Sequence, residues 1–232
     1  MSKKAGKLYG IGVGPGDTEL LTLKANKLLK SLPVICSPRS SPNRKSIALS
    51  IVYPIIEDRK VKNEIEIIEP VFPMTEDENE LERHWQDATD LIAMKLDEGY
   101  DVGFITLGDP SIFSTFSYIQ KKLKNSYYIE MVPGITSFTA CASSIGKPLV
   151  EKNEVLIIAP KIDDNFEELL KNGDSIVLMK VSRNTKELEE KVKKYNISEI
   201  VSVENATSKN EKIIEGFSTD KPYLTTTLLR SK

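Results

Sequence analysis

Cysteine, histidine and tryptophan are nearly missing from this chain of 232 residues, which has two, one and one of them. Cys36 and Cys141 are too few for a disulfide framework or a thiolate metal cluster. The single histidine, His84, falls in a helical pattern with no Cys or His at ligand spacing, so no protein-held metal is expected. No apolar run approaches the ~20 residues that a membrane-crossing helix needs. An excess of positive charge is missing too: 32 Lys and Arg against 34 Asp and Glu leave a net −2. That excludes nucleic-acid binding driven by a global positive field. The first residues, Met1 to Lys7, are basic but lead into a strand-like segment without the apolar core and cleavage site of a secretion signal. A cytoplasmic protein without membrane association is the expectation. Repeats and low-complexity tracts are also missing.

What is there is ordinary globular material, 40% hydrophobic and 28% charged, enough for one large α/β domain or two smaller ones. Period-two and apolar runs predict strands at Lys7–Val13, Leu32–Ser37, Asp101–Leu107, Tyr127–Val132, Glu154–Ala159, Ser175–Lys180, Ile197–Glu204 and Tyr223–Leu229. Helical spacing predicts helices at Thr18–Lys30 (with Asp17 as N-cap), Asn79–Glu98, Ile135–Ser144, Asn165–Lys171 and Thr185–Lys194. In the second of these, Leu81, Trp85, Ala88, Ile92 and Leu96 make one stripe, and Gly99 suits the position just past its end. Strands alternating with helices predict an α/β fold with largely parallel sheets, whose ligand sites lie at the carboxyl ends of strands. Three Gly/Pro turns fall at three such ends: 12–17, 108–110 and 133–134.

The first turn is not a dinucleotide fingerprint. Gly12-x-Gly14-x-Gly16 has the wrong third spacing, and Leu32 to Ser41 offers no acid for a ribose hydroxyl. No P-loop pattern is present either. By itself a Gly-Pro-Gly turn is as consistent with a tight βα connection as with a ligand site.

Taken together the turns say more. Tyr9-Gly10-Ile11-Gly12-Val13-Gly14-Pro15-Gly16-Asp17, then Thr106-Leu107-Gly108-Asp109-Pro110, then Val132-Pro133-Gly134-Ile135-Thr136-Ser137, resemble the three signatures of the tetrapyrrole methylases in that family's order and spacing. Val177-Leu178-Met179-Lys180, Val203-Glu204-Asn205-Ala206-Thr207 and Thr225-Thr226-Thr227-Leu228-Leu229 extend the likeness over essentially the whole chain. Phe72-Pro73-Met74-Thr75, Trp85 and the run Ser111 to Ile119 resemble the branch that methylates C20 of a precorrin-2-type macrocycle. Leu107, where uroporphyrinogen-III methylases usually carry a glycine, is a departure from that earlier pathway enzyme. Two other readings stay open: a same-fold methylase acting on a diphthine precursor or ribosomal RNA, and a non-catalytic ligand-binding α/β protein.

The resemblance implies two α/β domains, 1–133 with a mostly parallel sheet and 134–232 with a mixed one, and an active-site cleft between them. It implies S-adenosylmethionine as methyl donor, a small-molecule tetrapyrrole as substrate, corrin (cobalamin) synthesis as the setting, and a homodimer. Carried over residue by residue, cofactor contacts are expected from Pro15, Leu107, Gly108, Asp109, Ile112, Thr139, Ala140, Met179, Ala206 and Thr226. Glycine lets main chain approach a ligand closely, so strand-end N–H and C=O groups can read it without charged side chains.

Asp109 is the expected catalytic residue, orienting substrate or cofactor and taking the proton lost from the methylated carbon. A carboxylate between Gly and Pro at a strand end has no obvious packing role. A poly-carboxylate substrate calls for local positive charge on a protein that is acidic overall. Between Ser37 and Ile56 there are three cations, Arg39, Arg44 and Lys45, and no acid, in a Pro/Ser-rich loop, which makes these the expected substrate contacts. Lys180 and Arg183 are secondary candidates.

Overall fold

The computed structural model describes residues 4–160, 166–179, 185–218 and 224–231, which form two compact units, Met1–Ile135 and Thr136–Lys232. The positions of Lys180 and Arg183, and the first residues expected of the helix at 165 and of the strand at 223, lie outside the described residues.

In the first unit five strands, β1 (Leu8–Gly12), β2 (Val34–Cys36), β3 (Glu66–Ile68), β4 (Val102–Thr106) and β5 (Ile129–Val132), form one sheet in the order β3-β2-β4-β1-β5. Every pairing is parallel. Such a sheet needs both faces covered, and the alternation of side chains supplies two apolar surfaces. Leu8, Val34, Cys36, Val102 and Phe104 face α3 (Glu78–Asp97) and α4 (Phe116–Leu123), meeting Ala88, Ile92, Leu96, Phe116 and Ile119. Tyr9, Ile11, Ile35 and Ile105 face α1 (Leu23–Leu29) and α2 (Ile47–Val61), meeting Ala25, Leu29, Ile51, Val52 and Ile56.

The expected stripe of α3 faces the core, with Leu81 half-buried at its start. Ala88, Ile92 and Leu96 are buried, while Trp85 is partly buried and stacks on Tyr118 with ring centroids 3.8 Å apart. Asp77 caps the helix through the N–H groups of Asn79 and Glu80, and Gly99, at φ 84°, takes the left-handed position that follows its end.

The helix expected from Thr18 to Lys30 is two pieces. A 3-10 turn, Thr18–Leu20, carries Asp17 as its cap; Leu21 and Thr22 then return to extended backbone, and Thr22 caps α1 by accepting from the N–H of Ala25. A threonine hydroxyl competing for the backbone explains the break. The sequence reading also missed α2, β3 and α4. Pro54 inside α2 and the shortness of β3 hide the first two, and the Ser/Thr-rich approach to α4 reads as loop.

In the second unit five strands, β6 (Leu156–Ala159), β7 (Ser175–Met179), β8 (Ile197–Glu204), β9 (Lys212–Glu215) and β10 (Thr225–Ser231), form a mixed sheet in the order β6-β7-β10-β8-β9. Only β6 and β7 run parallel. Helices α6 (Phe166–Asn172) and α7 (Thr185–Val192) pack on one face around Phe166, Leu170, Leu178, Leu188, Val192 and Leu229. Helix α5 (Ser137–Ile145) packs against β10. No helix of the described residues is long and apolar enough to cross a membrane.

Candidate active site

Strand order brings the three glycine turns of the first unit together. β1 lies between β4 and β5, and all three are parallel, so their carboxyl ends open side by side. Beyond those ends Gly14 and Gly108 form a short antiparallel bridge, the N–H of Gly108 donating to the Gly14 carbonyl at 2.9 Å and the N–H of Gly14 returning at 3.3 Å. The third turn crosses both. A Cβ placed on Gly134 would sit 2.1 Å from the carbonyl oxygen of Gly108 and 2.8 Å from Gly12, distances that no side chain tolerates. These glycines are there because main chain touches main chain.

Asp109 ties the arrangement together. One carboxylate oxygen accepts from the N–H of Ser111 at 2.8 Å and from its hydroxyl, and the other accepts from the N–H of Gly134 at 3.0 Å. Burial presses the carboxyl pKa upward, but the hydrogen bonds from the Ser111 hydroxyl, the Ser111 N–H and the Gly134 N–H outweigh it and hold the group below its ordinary 3.8. A carboxylate so engaged is anionic at neutral pH and a weak base. Around it Pro15 is buried, and Leu107, Gly108 and Ile112 are half-buried. Just beyond, Thr106 and Ser114 join their hydroxyls at 2.9 Å, and Ser114 caps the approach to α4 through the N–H of Phe116.

In the second unit the antiparallel register collects candidates that the sequence scatters. Met179, the last residue of β7, stands opposite Thr226 of β10, and Glu204, the last of β8, stands opposite Thr225. Ala206 follows directly, buried. The hydroxyl of Thr226 reaches Ser137, the first residue of α5, at 3.5 Å. Helix α5 carries Thr139 exposed and Ala140 buried. Met179, Ala206, Thr226 and the start of α5 therefore share one end of this sheet. Cys141 lies buried in the same helix, its thiol pushed up to about 12 by burial, with the Thr226 hydroxyl beside it.

The cationic loop divides in two. Arg39 is fixed: its main chain makes a parallel bridge to Val71, with its N–H on the Pro70 carbonyl at 3.0 Å and its carbonyl receiving the Phe72 N–H at 2.9 Å. Its Nε is buried and has no hydrogen-bond partner. Such an orphan costs ~1–3 kcal/mol, which fits a donor set aside for something else. The contrast is Arg59, whose guanidinium is spent on the carbonyls of Leu29, Leu32 and Glu64.

Arg44 and Lys45 are exposed and stand just before Ser46, the N-cap of α2, which is braced by a buried hydrogen bond from Ser37 at 2.8 Å. Cations at the positive pole of a helix are unfavourable to it. Among the described residues no ion pair engages any of the three.

Sequence reading overlooked Ser111, Ser37 and Ser46. The Asp-Pro-Ser order was a legible turn signal for the first; nothing local marks the pairing of the other two. No cluster of His, Cys, Asp and Glu suited to a metal occurs among the described residues.

Comparison with known proteins agrees with the motifs. The family model described as Tetrapyrrole (Corrin/Porphyrin) Methylases matches residues 7–221. The chain is 38% identical over 220 residues to the "Probable cobalt-precorrin-2 C(20)-methyltransferase" of Methanocaldococcus jannaschii, covering 93% of this chain and 90% of that protein. It is 35% identical over 180 residues to the cobalt-precorrin-2 C(20)-methyltransferase of Salmonella typhimurium, covering 76% and 73%. Among solved structures, a cobalt precorrin-4 methyltransferase superposes with a TM-score of 0.72 at 22% identity over 97% of this chain and 94% of that one. The uroporphyrin-III C-methyltransferase of Thermus thermophilus, solved with S-adenosylhomocysteine, gives 0.66 at 19% identity and 97% of both chains. Those two likenesses concern the fold.

Proposed function

This chain belongs to the tetrapyrrole (corrin/porphyrin) methylase family, and from that premise we propose that it transfers a methyl group from S-adenosylmethionine to C20 of precorrin-2 or of its cobalt form, cobalt-factor II, in corrin synthesis. The observation that carries the reading is the convergence of residues 12–14, 108–109 and 134 on one main-chain crossing. It lies within a chain that is 38% identical over 220 residues and 35% identical over 180 residues to two relatives named for that reaction.

The residues present fit the cofactor. S-adenosylmethionine, when bound, supplies a methyl group already activated on a positively charged sulfur. In the first unit Pro15, Leu107, Gly108 and Ile112 would hold it through main-chain groups and apolar contacts, and Asp109, kept anionic, suits a ligand carrying positive charge. In the second unit Thr139, Ala140, Met179, Ala206 and Thr226 would contribute hydroxyls and small surfaces.

With an electrophile of this kind, holding the reactants in line accounts for ~7–11 kcal/mol of barrier, so a site built of main chain and one fixed carboxylate is sufficient machinery. Asp109 orients; with both oxygens engaged and its pKa lowered, it is poorly suited to take the C20 proton, the other half of the sequence expectation, and that proton passes to water as the methylated carbon regains its double bond. Arg39 receives a substrate carboxylate, and Arg44 and Lys45 draw the polyanion in. We place the enzyme in the cytoplasm, on the sequence expectation, and take it to be a homodimer, as the family resemblance implies; sedimentation at two concentrations checks the second point.

The experiment is mass spectrometry of the product after incubation with S-adenosylmethionine and either metal-free precorrin-2 or its cobalt complex. A product one methyl heavier, labelled from the cofactor and modified at C20, is expected. Binding of the macrocycle without turnover would support the non-catalytic alternative.

A further inference from the structure

Glu211 is a carboxylate with no part in the site as drawn so far, and it sits where two of that site's segments meet. Its Oε2 accepts from the hydroxyl of Ser144, near the end of α5, at 2.8 Å. The same oxygen accepts from the main-chain N–H of Thr207. The loop that follows β8 is backbone under strain: Asn205 and Thr207 have φ of 49° and 62°, and neither is glycine. Asparagine visits left-handed geometry readily, but for a β-branched threonine it is unfavourable, so a contact must hold the loop at Thr207. Ala206, buried, lies between them. The Asn205 N–H is taken by the Leu224 carbonyl at 2.8 Å, which ties the loop to the chain just before β10. Glu211 holds it from the other side. Helix α5 in turn carries Thr139 and Ala140. One carboxylate oxygen thus joins the segments that bear three of the five cofactor candidates in the second unit.

From this geometry we infer that Glu211 is a positioning residue for the cofactor: it fixes the left-handed 205–207 loop against α5, so that the main chain around Ala206 is presented at a set distance from Thr139 and Ala140. This rests on the cofactor assignment proposed above. Glutamine at 211 keeps one acceptor oxygen for the pair of donors; alanine removes the acceptor shared by the Thr207 N–H and the Ser144 hydroxyl. A hydrogen bond to a charged group contributes ~1.5–3 kcal/mol, so Glu211→Ala should raise the dissociation constant for S-adenosylmethionine about ten- to a hundredfold. The bound state, once reached, is the same, so kcat at saturating cofactor and KM for the tetrapyrrole should stay within about twofold of the parent.

The test is calorimetric titration of the full chain with S-adenosylhomocysteine, together with steady-state kinetics, for Glu211→Ala, Glu211→Gln, Ser144→Ala and the Ser144→Ala/Glu211→Ala double variant. Recovery of most of the affinity by Glu211→Gln, and a double variant no weaker than Glu211→Ala alone, are the expected results. Parent-like affinity in Glu211→Ala, or a fall in kcat equal to the change in cofactor KM, overturns the inference. Should Glu211→Ala not fold, Ser144→Ala with unchanged affinity overturns it equally. If the parent chain itself binds no S-adenosylhomocysteine, the cofactor assignment fails and takes this inference with it.

Discussion

The carboxylate of Asp109 accepts a hydrogen bond from the main-chain N–H of Gly134, 25 residues away, at 3.0 Å. Its other oxygen is bound to Ser111. The side chain therefore works first as a staple between the loop after β4 and the turn after β5, and the chemistry attributed to this corner depends on that staple being closed.

Replacing Asp109 by Asn puts an amide N–H where the Gly134 N–H or the Ser111 donors now point. Loss of about 1–3 kcal/mol of stability is expected, with kcat/KM reduced strongly and cofactor affinity weakened in parallel. Thermal denaturation alongside calorimetry checks both. Full cofactor affinity in a variant of unaltered rate would remove Asp109 from the site.

The pH dependence of that difference has a definite sign. The folded-state pKa of Asp109 lies below its ordinary 3.8, so its contribution to stability is complete above that ordinary value and is lost as pH falls through the lower folded value. The melting-temperature gap between the parent and Asp109→Asn should be constant from pH 7 to about 5 and shrink only below pH 4. A gap that closes between pH 7 and 6 would point to some other group.

Glycine at 134 is a steric requirement, glycine at 146 a conformational one. An alanine Cβ at 134 would lie 2.1 Å from the Gly108 oxygen, whereas at 146, with φ 70°, nothing lies within 4 Å. Gly134→Ala should therefore fail to fold or lose more than ~3 kcal/mol, in the range of the most damaging single changes. Gly146→Ala should cost only about 1 kcal/mol of backbone strain. Urea denaturation of the pair separates the two.

Arg39 and the Arg44/Lys45 pair should separate in kinetics. Arg39, anchored and with an unpartnered buried Nε, is expected to raise KM for the tetrapyrrole about tenfold or more on conversion to Met, with little dependence on salt. Charge reversal at Arg44 and Lys45, both exposed, should lower the rate of association most at low ionic strength. Cofactor affinity should be unchanged in all of them. An equal loss of cofactor and substrate binding would indicate misfolding.

Neither thiol should react in the folded protein. Cys36 and Cys141 are buried, and burial raises both pKa values, that of Cys141 to about 12. Labelling by a disulfide reagent at pH 8 should proceed only as fast as the protein opens; a rapid phase from one thiol in native buffer would contradict this.

The alternation of strands and helices was legible because apolar periodicity is a local property, and β1, β4, β5, α3, α5 and β8 lie where that pattern puts them, within a few residues. The two missed strands share a cause, which differs from that of the missed helices α2 and α4. β3 and β9 are three and four residues long, too short for a period to show, and the cap at Thr22 depends on one hydroxyl choosing backbone over solvent. At the site, residue types at the turns could be read from their motif. The partnership of Asp109 with Gly134 could not, and neither could that of Glu211 with Ser144, because no local signal spans 25 or 67 residues.

By itself, then, the order of residues determined the fold class, the positions of the glycine turns and the scarcity of metal-binding side chains, all consequences of short-range sterics and composition. Tertiary structure decided that β1 lies between β4 and β5, that Arg39 is bridged to Val71 with its Nε buried while Arg44 and Lys45 are exposed, and that Met179 faces Thr226. Those outcomes follow from burying both faces of one sheet and from long-range strand register, quantities that exist only when the whole chain is packed.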